Sequence, residues 1–308
     1  MKSIPLFYFP ITILAVDDED IILDLLQEVL STEFRLITTK NPHEALQIVN
    51  KSKSCFDITT FAVDHNEIDL YNDNSSITYF DFSKIINLAT NPDRYNILGV
   101  LIADYSMPEM SGLELCKRLN SNSIKKILLT GKVDEQSVIE AFNWGLINQY
   151  VKKADSNTIA LLRESIKEML LQYFIEISEN IKFISSKLEI LSDTVFINFF
   201  QKIVNDNQIK EYYLIDKNGS FLLMDYSGKR LVLAVMASED MEEFSQSYHD
   251  VPMIEKYVDQ VKNKQSIPFF GIGIKSVNVP LEQWANCFFK ANTLNCVNKT
   301  ICWSLCPC

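Results

Sequence analysis

The stretch Ile102–Gly112, "IADYSMPEMSG", decides how this chain is read. It closes an apolar run, "ILGVLIAD" from Ile97 to Asp104, with a single acid, and then turns through Met107-Pro108 to Gly112. A run that is apolar at every position indicates a strand buried on both faces. An acid at the end of such a strand adds little to packing and is well placed for chemistry, so the rest of the sequence must show whether it has company.

Working outward, the same pattern recurs. Ile11–Val16 is a second buried strand, and it runs into Asp17-Asp18-Glu19-Asp20. "KKILLTG" (Lys125–Gly131) is a third, with Thr130 near its end, and "NQYVKKAD" closes a last short strand carrying Lys152 and Lys153. "FRLITTK" (Phe34–Lys40) is a short β-rich run. Between the strands lie helical patterns: Ile21 to Leu30, "NPHEALQIVN" with Asn41 as cap, "GLELCKRLN", and "EQSVIEAFNWG" with Gly145 as its stop. Strands alternating with helices predict an α/β domain, a doubly wound parallel five-stranded sheet covered on both faces. In such sheets the functional crevice lies at the C-terminal ends of the strands. Asp17, Asp18, Asp104, Thr130 and the lysine pair all fall there.

Composition bounds the alternatives. The chain has 308 residues, 47% hydrophobic and 22% charged, which is globular composition. A formal net charge of −11 argues against a generic grip on nucleic acid. No stretch is long and apolar enough to span a bilayer. The opening "MKSIPLFYFPITILAV" resembles a leader only superficially, because Pro5 and Pro10 interrupt it and it ends in four acids. A cytoplasmic protein is expected.

Three carboxylates at neighbouring strand ends cannot all stay ionised unless a cation neutralises them. Oxygen-only ligands with open positions suit Mg²⁺, which readily shares a phosphate. A hydroxyl from Thr130 and an ammonium from the next strand complete a set suited to phosphoryl transfer onto a carboxylate.

On these residues the N-terminal half resembles the CheY-like receiver domain of two-component response regulators. "ILAVDDED" is similar to the family's first strand and acidic pair, and "LIADYSMPEMSGLELC" to its D-x-x-M-P-x-M-x-G-x-E motif. "ILLTG" supplies the switch threonine with small Gly131 beside it. The family lysine lies three residues after an aromatic, which favours Lys153 with Tyr150; Lys152, with Gln149 as partner, is the rival. Ala154 stands where the family usually has proline. The resemblance implies that Asp104 is the phosphorylated residue and that Mg²⁺ is bound by Asp17, Asp18, Asp104 and the backbone carbonyl of Ser106. It further implies that Thr130 and Tyr150 form the switch. The implied partner is a sensor histidine kinase or histidine phosphotransfer protein, and the chain itself is not an enzyme. A flavin-binding relative of the same fold is disfavoured, because "DDEDII" would repel a phosphate. A phosphate-independent pseudo-receiver scaffold is the alternative.

The receiver is expected over residues 1–155, with an insertion at about 51–96 whose polar middle reads as a loop or short hairpin and whose "FDFSKIINLAT" reads as a helix. Residues 156–192 read as a long helical linker, a candidate homodimer interface. Residues 193–308 read as a smaller α+β output domain. "EYYLIDKNGSFLLMDYSGKRLVLAVMA" should form antiparallel strands turning at "DKNGS" and "YSGK". From Asp155 onward there are 15 basic and 19 acidic residues, unlike a DNA-binding module, and His249 is its one histidine. Output by protein contact or dimerisation is expected. Of the seven cysteines, Cys296, Cys302, Cys306 and Cys308 crowd "CVNKTICWSLCPC". Their spacing matches no zinc pattern, and the tail could equally be disordered.

Overall fold

The computed structural model describes residues 2–53, 62–63, 79–80, 82–119, 123–131, 135–153, 156–180, 188–274 and 276–308. In chain order, strand β1 (Phe7–Tyr8) is followed by β2 (Thr12–Val16), helix α1 (Asp20–Leu30), β3 (Arg35–Thr39) and α2 (Pro42–Lys53). The short strands β4 (Ala62–Val63) and β5 (Tyr79–Phe80) pair with each other, and helix α3 (Phe82–Thr90) follows. Then come β6 (Leu98–Asp104), α4 (Gly112–Arg118), β7 (Lys125–Thr130), α5 (Glu135–Asn143), β8 (Gln149–Lys152) and α6 (Thr158–Asn180). The remaining elements are α7 (Thr194–Asp206), β9 (Ile209–Leu214), β10 (Phe221–Asp225), β11 (Arg230–Ala237), α8 (Ser238–Ser247), α9 (Glu255–Lys262), β12 (Ser266–Pro268), β13 (Phe288–Lys290), β14 (Asn292–Asn295) and β15 (Thr300–Pro307).

Two compact units result, and their boundaries differ from those read in the sequence. One holds Pro10–Thr59 and Asn91–Ile177; the other holds Met1–Phe9, Thr60–Thr90 and Ser178–Cys308. The first is a five-stranded sheet in the order β3-β2-β6-β7-β8, every described pairing parallel. Strands β2, β6 and β7 are buried at every position, as the apolar runs at their centres require; in β7 the burial extends to Lys125 and Lys126. Leu14, Val16, Leu101, Ala103 and Leu128 pack with Ala45, Val49, Leu115 and Val138 into its core. The helix expected as a linker, α6, contributes a buried stripe of its own: Leu162, Ile166, Met169, Leu170, Tyr173 and Phe174. Its apolar face is therefore core over this span. The continuation that the sequence suggests through residue 187 lies outside the described residues, and Glu189–Ser192 is a 3-10 turn.

The second unit centres on a six-stranded antiparallel sheet, β1-β9-β10-β11-β15-β14. The expected hairpins are present. Asp216 accepts N–H bonds from Asn218 (2.8 Å) and Ser220 (3.0 Å), and Gly219 takes φ +92°, which only glycine adopts cheaply. Asp225 organises the second turn in the same way, accepting from Ser227 (2.8 Å) and Lys229 (3.0 Å). The cysteine-rich tail is corrected by the structure: Thr300–Pro307 is an inner strand, paired with β11 on one side and β14 on the other. Cys302 and Cys306 are fully buried there. Residues four apart on a strand are about 13 Å apart, whereas two sulfurs on one Zn²⁺ lie within about 5 Å. This strand of the tail is core packing, and its two buried cysteines are too far apart along it to share one Zn²⁺. The middle of the 51–96 insertion, including Cys55, lies outside the described residues.

Candidate phosphoacceptor site

Strand register assembles the site. Val16 pairs with Ala103, so Asp17 and Asp104 leave adjacent strands at the same level. Asp104 pairs with Leu129 on β7, one residue before Thr130. Thr130 pairs with Lys152 on β8, one residue before Lys153, and the Lys153 N–H donates to the Thr130 carbonyl at 2.8 Å. Parallel pairing of four strands thus delivers two acids, a hydroxyl residue and a lysine to one edge of the sheet. Gly112 lets the loop after β6 close: a Cβ there would lie 2.2 Å from the Asp104 carbonyl oxygen. The neighbouring Ser111 caps α4, accepting the Glu114 N–H at 3.2 Å.

Asp17, Asp104 and Thr130 are buried, with Asp17 1% and Asp104 4% exposed. The Lys153 ammonium lies 2.7 Å from Asp17 Oδ2, 2.7 Å from Asp104 Oδ1 and 3.8 Å from Glu19 Oε1. The other oxygens are held by backbone: the Glu19 N–H donates to Asp17 Oδ1 at 3.1 Å, and the Ser106 N–H to Asp104 Oδ2 at 2.8 Å. Burial pushes the Asp17 carboxyl above its ordinary value; the Lys153 ammonium and the Glu19 N–H pull it back, and the Asp104 charge adds to the rise. For Lys153, burial works downward but is outweighed by the carboxylates of Asp104 and Asp17, so its pKa is raised and it stays charged.

The residues present fit Mg²⁺. Asp17, Asp18 and Asp104 each offer a carboxylate oxygen within 4.8 Å of the others, and among the described residues this is the group of acids, histidines or cysteines so gathered. Asp17 Oδ2 is buried, and the contact it makes with a side chain is the Lys153 ammonium at 2.7 Å. An all-oxygen donor set with solvent access at Asp18 suits a hard, hydrated dication.

The residues singled out in the sequence thus divide clearly. Asp17, Asp18, Asp104, Thr130, Lys153 and the Ser106 backbone share one edge. Lys152 is an exposed strand residue, whereas the Lys153 side chain reaches the acids. Tyr150 is 42% exposed on β8. Ala154 lies outside the described residues. Sequence reading overlooked Glu19 as a third carboxylate near Lys153; the only available signal was its place in the acidic run.

Residues 83–163 match the response regulator receiver domain family. That match begins after the acidic pair, which strand register then brings to the site. No curated protein matches the chain by sequence. Among solved structures, the chain is similar to the response regulator LqsR of Legionella pneumophila, with 29% identity and a TM-score of 0.79, covering 100% of this chain and 90% of that one. It is also similar to the signal receiver domain of an HD domain-containing protein from Pseudomonas fluorescens Pf-5 (23% identity, 55% of this chain and 91% of that one, TM-score 0.35). A third is a CheY-like receiver domain protein from Methanospirillum hungatei (20% identity, 54% and 98%, TM-score 0.35). The parallel-sheet part of the chain therefore has the fold of a response regulator receiver domain, matched in sequence over residues 83–163, and is joined to an additional antiparallel region.

Proposed function

We propose that this chain is a response regulator whose Asp104 accepts a phosphoryl group from the phosphohistidine of a sensor kinase or phosphotransfer protein. The observation that carries this reading is the lysine held 2.7 Å from two buried carboxylates at the ends of adjacent parallel strands. In the transfer, an Asp104 carboxylate oxygen bonds to phosphorus as the P–N bond breaks, and the imidazole nitrogen keeps the electron pair. Asp17, Asp18, Asp104 and the Ser106 carbonyl would hold Mg²⁺. When bound, Mg²⁺ supplies positive charge that offsets both the acids and the phosphoryl oxygens. Lys153 offers an ammonium to one phosphoryl oxygen, and the Thr130 hydroxyl offers a hydrogen bond to another. Burial around Asp17 and Asp104 strengthens these contacts by excluding water.

Phosphorylation then biases an existing equilibrium in which Thr130 and Tyr150 take up new positions, and output proceeds through protein contacts or dimerisation. The test is Mg²⁺-dependent labelling by a small phosphodonor. Label on the wild type, lost in Asp104→Ala, supports the reading. An unlabelled wild type that still carries out its signalling output would instead identify a phosphate-independent scaffold.

A further inference from the structure

Asp17 and Asp104 are carried by β2 and β6, and these are the two strands of the parallel sheet entered directly from segments of the other unit. Strand β1 precedes β2 by only Phe9, Pro10 and Ile11. Helix α3 precedes β6 by the turn Asn91–Ile97. Both segments terminate on one element. Strand β1 pairs with β9, Phe7 opposite Tyr213 and Tyr8 opposite Tyr212, and the Leu214 N–H donates to the Leu6 carbonyl at 2.7 Å. The Phe9 ring stacks 6.0 Å from Tyr213 and Tyr8 stacks 5.5 Å from Tyr212. Helix α3, with Ile85, Leu88 and Ala89 buried, packs against β9 as well.

Each junction is constrained locally in its backbone. Pro10 has a fixed φ and confines Phe9 to extended backbone. In the other, the Asn91 side chain accepts the Asp93 N–H at 2.9 Å, Pro92 occupies the first turn, and Arg94 Nη1 donates to the Asn91 carbonyl at 2.7 Å, with the guanidinium carbon 4.0 Å from the Tyr95 ring centroid. The bases of the two strands are also tied together: the Thr12 N–H donates to the Ile97 carbonyl at 2.7 Å, and the Thr12 hydroxyl to the Tyr95 carbonyl at 2.8 Å. Neither junction contains a glycine. A glycine- or serine-rich tether would absorb a displacement, whereas constrained, hydrogen-bonded backbone passes it on.

We propose that the state of the acid pocket is communicated to the antiparallel sheet through the bases of β2 and β6, converging on β9, rather than through the exit helix α6 alone. This rests on the phosphoacceptor reading above. Neutralising the charge cluster at one end of β2 and β6 changes the forces on both strands, and the two elbows carry the resulting shift to β1 and α3.

Hydrogen exchange on the full-length protein tests it, with and without Mg²⁺ and beryllofluoride. The amides of Tyr105 and Ser106 report pocket occupancy; the Leu214 amide and its β9 neighbours report the coupling. The expected result is a several-fold change at both. In a variant with Gly-Ser-Gly inserted between Phe9 and Pro10 and Pro92→Gly at the second elbow, the pocket response persists and the β9 response is lost. Should the insertion impair folding, Pro10→Gly/Pro92→Gly softens both elbows at unchanged length and is read in the same way. A wild type in which the pocket amides respond and β9 does not, or a softened variant that keeps its full β9 response, overturns the coupling. Silent pocket amides would instead overturn the phosphoacceptor reading, and the coupling with it.

Discussion

Replacing Lys153 by methionine removes the positive charge that sits 2.7 Å from both Asp17 and Asp104. Two buried carboxylates then face each other without a counter-charge. Breaking such a pair costs about 1–3 kcal/mol at a site with partial solvent access. Lys153→Met should therefore melt at lower temperature than wild type at neutral pH without divalent ions, and Mg²⁺ should recover much of the difference. The same substitution at Lys152 should leave the melting temperature and its Mg²⁺ response nearly unchanged, because that side chain is exposed. Gly112 gives a second test at this scale. A Cβ placed 2.2 Å from the Asp104 carbonyl forces the backbone to move. Gly112→Ala should cost about 1–3 kcal/mol in chemical denaturation and slow phosphodonor labelling of Asp104.

The turn between β9 and β10 and the cysteine-bearing strand β15 make predictions at the level of elements. Burial raises the Asp216 carboxyl above its ordinary pKa, although the Ser220, Asn218 and Gly219 donors oppose the shift. A raised native pKa means that the folded state holds its proton more tightly than the unfolded state. The contribution is stabilising below the unfolded value near 4 and is lost as pH rises through the folded pKa. Asp216→Asn keeps an acceptor oxygen without the charge, so its melting temperature relative to wild type should rise between pH 4 and pH 7. In β15, burial pushes the Cys306 thiol up to about 11, and in α4 it pushes Cys116 up to about 12. At pH 8 such thiols are about a thousandfold depleted in thiolate. A disulfide reagent should modify exposed Cys308 rapidly, and Cys116, Cys302 and Cys306 only on unfolding. A chelator should leave the stability of the antiparallel sheet unchanged.

For the molecule as a whole, the decisive feature is that the second unit is assembled from three separate stretches of chain. A fragment beginning at Ser178 lacks β1 and α3, and with them the buried rings of Phe7 and Phe9 and the covered faces of Ile85 and Leu88. Burying a phenylalanine is worth several kcal/mol, comparable with half the stability of a domain. That fragment should fail to give a cooperative thermal transition, whereas the full chain should give one. The sequence by itself determined the parallel sheet, because continuous apolar strands alternating with amphipathic helices have few other solutions, and the acids after Val16 and Ala103 fall at strand ends by counting alone. It also determined the two hairpins turning at "DKNGS" and "YSGK", since their turn residues act over four or five positions. What only tertiary structure decided depended on pairing between distant stretches. Lys153 was separated from Lys152 by which side of β8 reaches the acids. Phe7–Tyr8 lies beside the first receiver strand in sequence yet bonds to β9, more than two hundred residues away. The cysteine tail became an inner strand because β11 and β14 flank it, and no local pattern encodes which distant edge will accept a strand.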